Sequence, residues 1–259
     1  MPTVQELYEL WADDAELRDA LARSLEPRGV DSLFEAFAAL GPQAGELVVD
    51  VGARDASYAI RLVREHGLRA IALDPVRLHC DLARKAIADA GLASEIEVVE
   101  AAAESMPFPD ASADWIWCRD VLVHVDAQRG LAECARVLHP GGALVAYVTL
   151  ATDRLEPRER VELVEAMALK SFDAEEIEAA ATDAGLTLRS VDRIDSEWRE
   201  RMIEDKTWDP AESLLQIARL RRSGLEGLQA RAAYGGLVWG IYQLLGKLCP
   251  TVYVWTSSD

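Results

Sequence analysis

Paired cysteines, long apolar runs and clusters of basic residues are all missing from this 259-residue chain. Its four cysteines, Cys80, Cys118, Cys134 and Cys249, stand apart, without the CxxC spacing of a zinc site or the paired spacing of a disulfide framework. They read as buried thiols in a reducing compartment. No grouping of His, Cys and carboxylates has metal-ligand spacing, so no metal is expected. The longest apolar run, ALVAYVTLA at residues 143–151, is far shorter than the roughly 20 residues that cross a bilayer. The opening stretch MPTVQELYELWADDAELRD turns acidic and polar within a few residues, unlike a signal peptide. A cytoplasmic protein without a membrane partner is therefore expected. Basic runs are absent too, and 45 Asp and Glu against 27 Lys and Arg give a formal charge of −18. Such a field repels polyanions, and nucleic acid is not an expected partner.

What the chain does have is alternation. The first forty residues carry helical periodicity, with Val4, Leu7, Tyr8, Trp11, Ala15 and Leu21 near a 3.6-residue spacing until Pro27 and Gly29 break it. Then ELVVDVG, LRAIALD, EIEVVEA, ADWIWCRD and GALVAYVTL read as short strands. Between them lie the amphipathic stretches ASYAIRLVREHG, PVRLHCDLARKAIADAG and AQRGLAECARVLHPGG. This order predicts right-handed crossovers and a parallel sheet covered on both faces. Gly67 and Gly91 suit helix C-caps, Asp126 an N-cap, and Pro140-Gly141-Gly142 a turn into a strand. Beyond Leu150 come a charged segment, a helix DAEEIEAAATDAG, a strand LTLRSVDRI, a helical region from Asp195 to Cys249, and a last strand TVYVWTS.

One turn stands out. The first strand ends at Asp50, and Gly52 follows where the chain must bend sharply into a helix; without a Cβ it can take a positive φ and approach a ligand. The next strand ends at Asp74, 24 residues after Asp50, close to the spacing of an acid that binds ribose hydroxyls. Asp74, followed by Pro75, also suits a cap of the next helix.

Four stretches in order, VVDVGARDA, IALDP, VVEAAAESMPFPDASADWIWC and VLVHVDAQRGLAECARVLHPGGALV, resemble the class I S-adenosylmethionine-dependent methyltransferases of the small-molecule type. Together they cover about Leu47 to Leu150. The resemblance implies one α/β domain with a doubly wound, seven-stranded, mostly parallel Rossmann-like sheet and an antiparallel last strand. A helical cap would occupy residues 1–42, the cofactor-binding core 43–150, and a substrate-side region 151–259 with a helical insertion over 195–249. It implies S-adenosyl-L-methionine as cofactor, with Asp50, Gly52, Arg54, Asp74, Pro75, Ala103, Glu104, Cys118 and Arg119 around it. Three positions depart from the family. Arg54 and Ala56 stand where glycines are usual, and Ala102 stands where an Asp often meets the adenine. Arg54 can bind the cofactor's carboxylate through a bidentate contact, or pair with Asp55 or Asp50.

Methyl transfer from a sulfonium is an in-line displacement, in which alignment contributes about 7–11 kcal/mol. A general base adds roughly 10²–10⁴-fold. Asp120 and His124 at the end of the fourth strand are the candidate catalytic residues, sharing a face if the stretch is helical; His124 suits a base, a substrate-orienting group or a packing residue. His66, His79 and His139 are expected at the surface. Tyr8 and Trp11 are expected to fold over the cofactor. Trp239 and Tyr242 share a helical face that suits substrate contact, core packing or a homodimer interface. The expected activity is methylation of N, O or C of a small-molecule acceptor, including products of secondary metabolism. Competing readings are a same-fold protein catalysing a reaction such as cyclisation, a nicotinamide-dependent dehydrogenase, and an interaction module with a vestigial pocket.

Overall fold

Each short Val- and Ile-rich run becomes a strand because alternate side chains can be buried on both of its faces. The computed structural model describes residues 2–257, without the side chains of residues 11–13, so the expectation for Trp11 lies outside the described residues. Three helices come first: α1 (Val4–Asp13), α2 (Ala15–Ala22) and α3 (Val30–Ala38). The alternating core follows as β1 (Leu47–Val51), α4 (Ser57–His66), β2 (Arg69–Asp74), α5 (Arg77–Ala90), β3 (Ile96–Glu100), β4 (Ala113–Arg119), α6 (Ala127–Val137) and β5 (Leu138–Ala151). Then come α7 (Pro157–Met167), α8 (Ala174–Asp183), β6 (Leu186–Arg193), α9 (Glu197–Glu204), α10 (Pro210–Leu220), α11 (Gly227–Leu244) and β7 (Leu248–Ser257).

The strands form one sheet in the order β3-β2-β1-β4-β5-β7-β6. β1 pairs in parallel with β2 and β4, whereas β7 runs antiparallel between β5 and β6. Two apolar layers cover it. Phe34 and Phe37 of α3, Leu62 of α4, Ile87 of α5 and Trp198 of α9 pack on one face with Val48, Trp117 and Tyr147. Leu131 of α6, Leu163 of α7, Ile177 of α8 and Ile241 of α11 pack on the other with Val49, Ile116 and Val148. Neighbouring residues Ile116 and Trp117 thus serve opposite layers, as the two-residue strand period demands.

Local chemistry explains the helix ends. Gly67 and Gly91 close α4 and α5 at φ 69° and 72°, and Asp126 accepts the Arg129 N–H at 3.0 Å to open α6. Two expectations need correction. The opening helix is split, because Asp14 accepts the Leu17 N–H and starts α2 anew. β5 already begins at Leu138 and runs through Pro140-Gly141-Gly142, with a register irregularity opposite Ala113 and Trp115. The helical cap is also less uniform than expected: α3 belongs to the core, while α2 buries no residue.

Trp117 is the keystone of the first layer, 4.8 Å from the Phe34 ring, 5.9 Å from Tyr58 and 6.0 Å from Phe37. Trp117→Ala should cost about 3–5 kcal/mol in urea unfolding, with Trp117→Phe far milder. The smaller loss follows because the indole Nε1 is buried without a partner, so phenylalanine gives up volume but no hydrogen bond.

Candidate active site

The strand order changes direction at β1, which has β2 on one side and β4 on the other. At their carboxyl ends lies a cleft of about 670 Å³. Its floor is the turn from β1 into α4. Gly52, Arg54 and Ala56 all adopt left-handed backbone, at φ 74°, 51° and 60°. The Gly52 and Ala53 N–H groups donate to the Leu73 carbonyl at 2.8 and 3.0 Å, and the Arg54 N–H donates to Asp74 Oδ2 at 3.0 Å. A Cβ at position 52 would run into Val121 Cγ2. Glycine is therefore required there, whereas Arg54 and Ala56 bear only the left-handed penalty of about 1–2 kcal/mol each. The Arg54 side chain is exposed and, among the described residues, has no ion pair with Asp50 or Asp55. It lines the cleft instead.

Asp74 serves two ends at once. One oxygen accepts the Arg54 N–H; the other accepts the Val76 N–H at 2.9 Å, next to α5, and faces His79 Nδ1 at 3.1 Å. The cap and ligand readings are thus compatible, since Oδ2, which accepts a single N–H, keeps a further lone pair. His79 departs from the surface expectation: five residues after Asp74, it is carried back over the carboxylate by the first turn of α5 and lines the cleft. His66 is half-buried against Phe37 at 5.5 Å, with Nε2 buried and unpartnered, whereas His139 is exposed.

Asp50 lies beneath the turn, 2% exposed, and accepts the Ala59 N–H at 3.2 Å. No side chain caps α4, so this carboxyl takes over one of the orphan donors of its first turn. Burial pushes the Asp50 carboxyl up to about 7, against the pull of that hydrogen bond. Across the cleft, Asp120 is left-handed at φ 53° and its Oδ1 accepts the Thr149 N–H at 3.0 Å. Burial raises its carboxyl as well. The stretch after β4 is a turn rather than a helix, so Asp120 and His124 share no helical face, yet both line the cleft. His124 is exposed there. Pro75, Glu104 and Arg119 line it too, Glu104 accepting from Asp126 N–H at 3.3 Å and from Lys170 Nζ at 3.4 Å.

Other expected positions fall outside. Cys118 is buried in the core facing away from the cleft-lining set, its thiol raised by burial. Ala103 is likewise a core residue. Tyr8, 64% exposed on α1, does not line the cleft. Trp239 and Tyr242 do not line it either; they pack with the α11 face of the core, Tyr242 lying 5.4 Å beneath Lys247 Nζ. Sequence reasoning missed Tyr58, His79, Val121 and Lys170 in the lining. His79 had a usable signal in its spacing from Asp74; Lys170 follows α7 and matches no motif.

The carboxyl of Asp50 has a consequence for stability. Its folded pKa lies above the unfolded value of 3.8, so its contribution is fully present at low pH and is lost as pH rises toward about 7. Asp50→Asn, which keeps an acceptor for Ala59, should flatten the fall in Tm between those values and melt several degrees higher than the parent at pH 8. Asp120 acts in the same direction, so part of the slope should persist.

The comparisons with known proteins cover most of the segment that builds this cleft. Residues 49–146 match the family model described as a methyltransferase domain. Dimethylglycine N-methyltransferase of Parasynechococcus marenigrum is 40% identical over 118 residues, 44% of this chain and 41% of that protein. Methyltransferase GfsG of Streptomyces halstedii is 33% identical over 138 residues, 53% of this chain and 48% of that protein. The match thus spans less than half the length of either curated relative. A structure of a sarcosine dimethylglycine methyltransferase from Galdieria sulphuraria superposes with TM-score 0.71 at 23% identity, over 88% of this chain and 85% of the other. That of the [4+2]-cyclase SpnF gives 0.70 at 18% identity, over 99% and 97%. The seven-stranded order, the glycine turn and the carboxylate at the tip of β2 thus accompany a methyltransferase-domain match over residues 49–146 and a Rossmann-like methyltransferase fold.

Proposed function

We propose that the protein transfers a methyl group from S-adenosyl-L-methionine to a small-molecule acceptor. One observation carries the reading: Asp74 and the backbone of the Gly52 turn are tied together in the cleft, Arg54 N–H to Asp74 Oδ2. Two tests of fit support the cofactor. The space beside Gly52 that a Cβ would occupy is already tight against Val121, so only bare backbone can line a nucleotide there. Asp74 Oδ2 offers a free lone pair to a ribose hydroxyl, with His79 held on the other oxygen. Asp74 with His79 would hold the ribose, Pro75, Val76 and Glu104 would flank the base, and Arg54 would meet the methionine carboxylate.

The cofactor supplies an activated methyl and its leaving group; the chain supplies alignment and exclusion of water. Asp120 and His124 lie at the tip of β4, within the same cleft, where the acceptor would be oriented. Asp120 is held by Thr149 and its carboxyl is raised by burial, so it suits a hydrogen-bond partner that takes up a proton. His124, exposed at the rim, suits the onward passage of that proton to solvent. Fixed geometry is the larger contribution, and an amine acceptor needs no base.

A second reading is favoured by one observation. The fold of the [4+2]-cyclase corresponds over 99% of this chain and 97% of its own, so a cleft of this design can be turned to a reaction other than methyl transfer. Product mass separates the two: methyl transfer adds one methylene to the acceptor.

Calorimetry should find S-adenosylhomocysteine bound and NADH not bound. Asp74→Ala should weaken S-adenosylhomocysteine at least about a hundredfold, since it removes a charge-assisted hydrogen bond to the ribose together with the one from Arg54 N–H. Near-normal affinity in that variant would overturn the ribose assignment.

A further inference from the structure

Several half-buried arginines in this acidic chain pair with carboxylates. Arg28, Arg61, Arg136 and Arg160 each hold a carboxylate at 2.6–2.8 Å. Arg119 differs. It ends β4 in the wall of the cleft, is only partly exposed, and among the described residues has no ion pair. Its Nε is buried without a hydrogen-bond partner. The guanidinium lies instead 5.1 Å from the Tyr58 ring, 5.3 Å from Tyr147 and 5.9 Å from Trp198. Buried Asp50 and half-buried Asp120 attract Arg119 electrostatically but form no ion pair with it; Asp50 accepts the Ala59 N–H and Asp120 the Thr149 N–H.

Arg199 of α9 deepens the positive charge. It interacts electrostatically with Tyr147, Asp120 and Arg119, and burial holds its pKa down. Its Nε donates to Gln243 Oε1 at 2.6 Å and its guanidinium lies 4.9 Å from the Trp208 ring, with no carboxylate partner among the described residues. Gly240 makes the room, since a Cβ there would stand 3.0 Å from the Trp208 ring and 3.2 Å from Arg199 Cζ. Aromatic faces recover only about 0.5–2 kcal/mol for a desolvated cation. A planar guanidinium in this setting lacks the one partner that matches its fork, an anion taking two hydrogen bonds.

The chemistry of the walls narrows that anion. Asp50 and Asp120 border the same space, so a dianion would be repelled where a singly charged carboxylate balances one guanidinium. Position narrows it further. β1 separates β2 from β4, so Arg119 stands two strand spacings, about 10 Å, from the Asp74 tip, toward β5 and α9.

We propose that Arg119, backed by the buried rings of Tyr147 and Trp198, anchors a carboxylate of the methyl acceptor in the cleft beside Tyr58. The proposal rests on the methyltransferase reading above and gives its substrate class, a metabolite bearing one carboxylate near the atom that is methylated.

Acetate is the minimal probe. The wild-type protein, saturated with S-adenosylhomocysteine and held at constant ionic strength with chloride, is titrated with sodium acetate. The Arg119 Nε–H and Trp198 indole N–H resonances report on the site. Both should shift saturably. In Arg119→Met the Trp198 response should weaken at least about tenfold. Arg119→Lys keeps the charge without the fork, and should weaken acetate while preserving the folded spectrum. No acetate response with cofactor bound overturns the proposal. So does a response seen without nucleoside that S-adenosylhomocysteine abolishes and methylthioadenosine does not, because Arg119 then holds the cofactor's own carboxylate. Failure of the wild type to bind S-adenosylhomocysteine is a separate result, and overturns the methyltransferase reading itself.

Discussion

The site depends on a backbone bend held open by hydrogen bonds and a single glycine. Between β1 and α4 three residues turn left-handed, and only Gly52 is free of a Cβ. Four bonds fix the bend: two N–H groups on the Leu73 carbonyl, one on Asp74 and one on Asp50. Each partner belongs to β1 or β2, so the parallel pairing of those strands and the shape of the turn specify one another. A chain with this support can place Arg54 and Ala56 where the family usually has glycine, at a modest conformational cost. The arginine is therefore available for a ligand instead of being a sign of decay.

The two apolar layers divide the remaining work. The layer built on α3, α4 and α9 sets the depth of the cleft, because Trp117 and Tyr147 fix the floor beneath Tyr58 and Arg119. A polar chain that joins α9 to α11 reaches the same place. Arg199 donates to Gln243, Gln243 Nε2 donates to Thr149 Oγ1 at 3.1 Å, and the Thr149 N–H holds Asp120. The tip of β4 is thus braced from α9 and α11, elements far away in sequence. Such networks stiffen a site when every member is satisfied.

The sheet was largely legible in the sequence because parallel strands buried on both faces leave continuous apolar runs, and because Gly67, Gly91 and Asp126 punctuate helices by local chemistry alone. The placement of Asp50, Gly52 and Asp74 was legible for the same reason: it follows from strand ends and one bend. The long-range contributions were not. Nothing in the spacing around Tyr242 or Trp239 distinguishes a helix face packed on α7 from one turned to a ligand. Cys118 and Arg119 are adjacent, and only the pleat decides that the first is buried in the core and the second reaches the cleft. The split at Asp14 and the early start of β5 are local choices between near-equal alternatives, Asp14 against continued helix and the Pro-Gly-Gly turn against extended pairing.

The position of β7 between β5 and β6 has a further meaning. β6 has no neighbour in the sheet except β7, and β5 keeps an open hydrogen-bonding edge until β7 arrives. A nascent chain therefore carries a bare, strongly apolar ribbon through the synthesis of some hundred further residues. Closure of that ribbon comes last, and the braces that α9 and α11 bring to the reaction chamber are locked in the same late event. The chamber proposed for the acceptor is therefore complete only with β7 seated between β5 and β6.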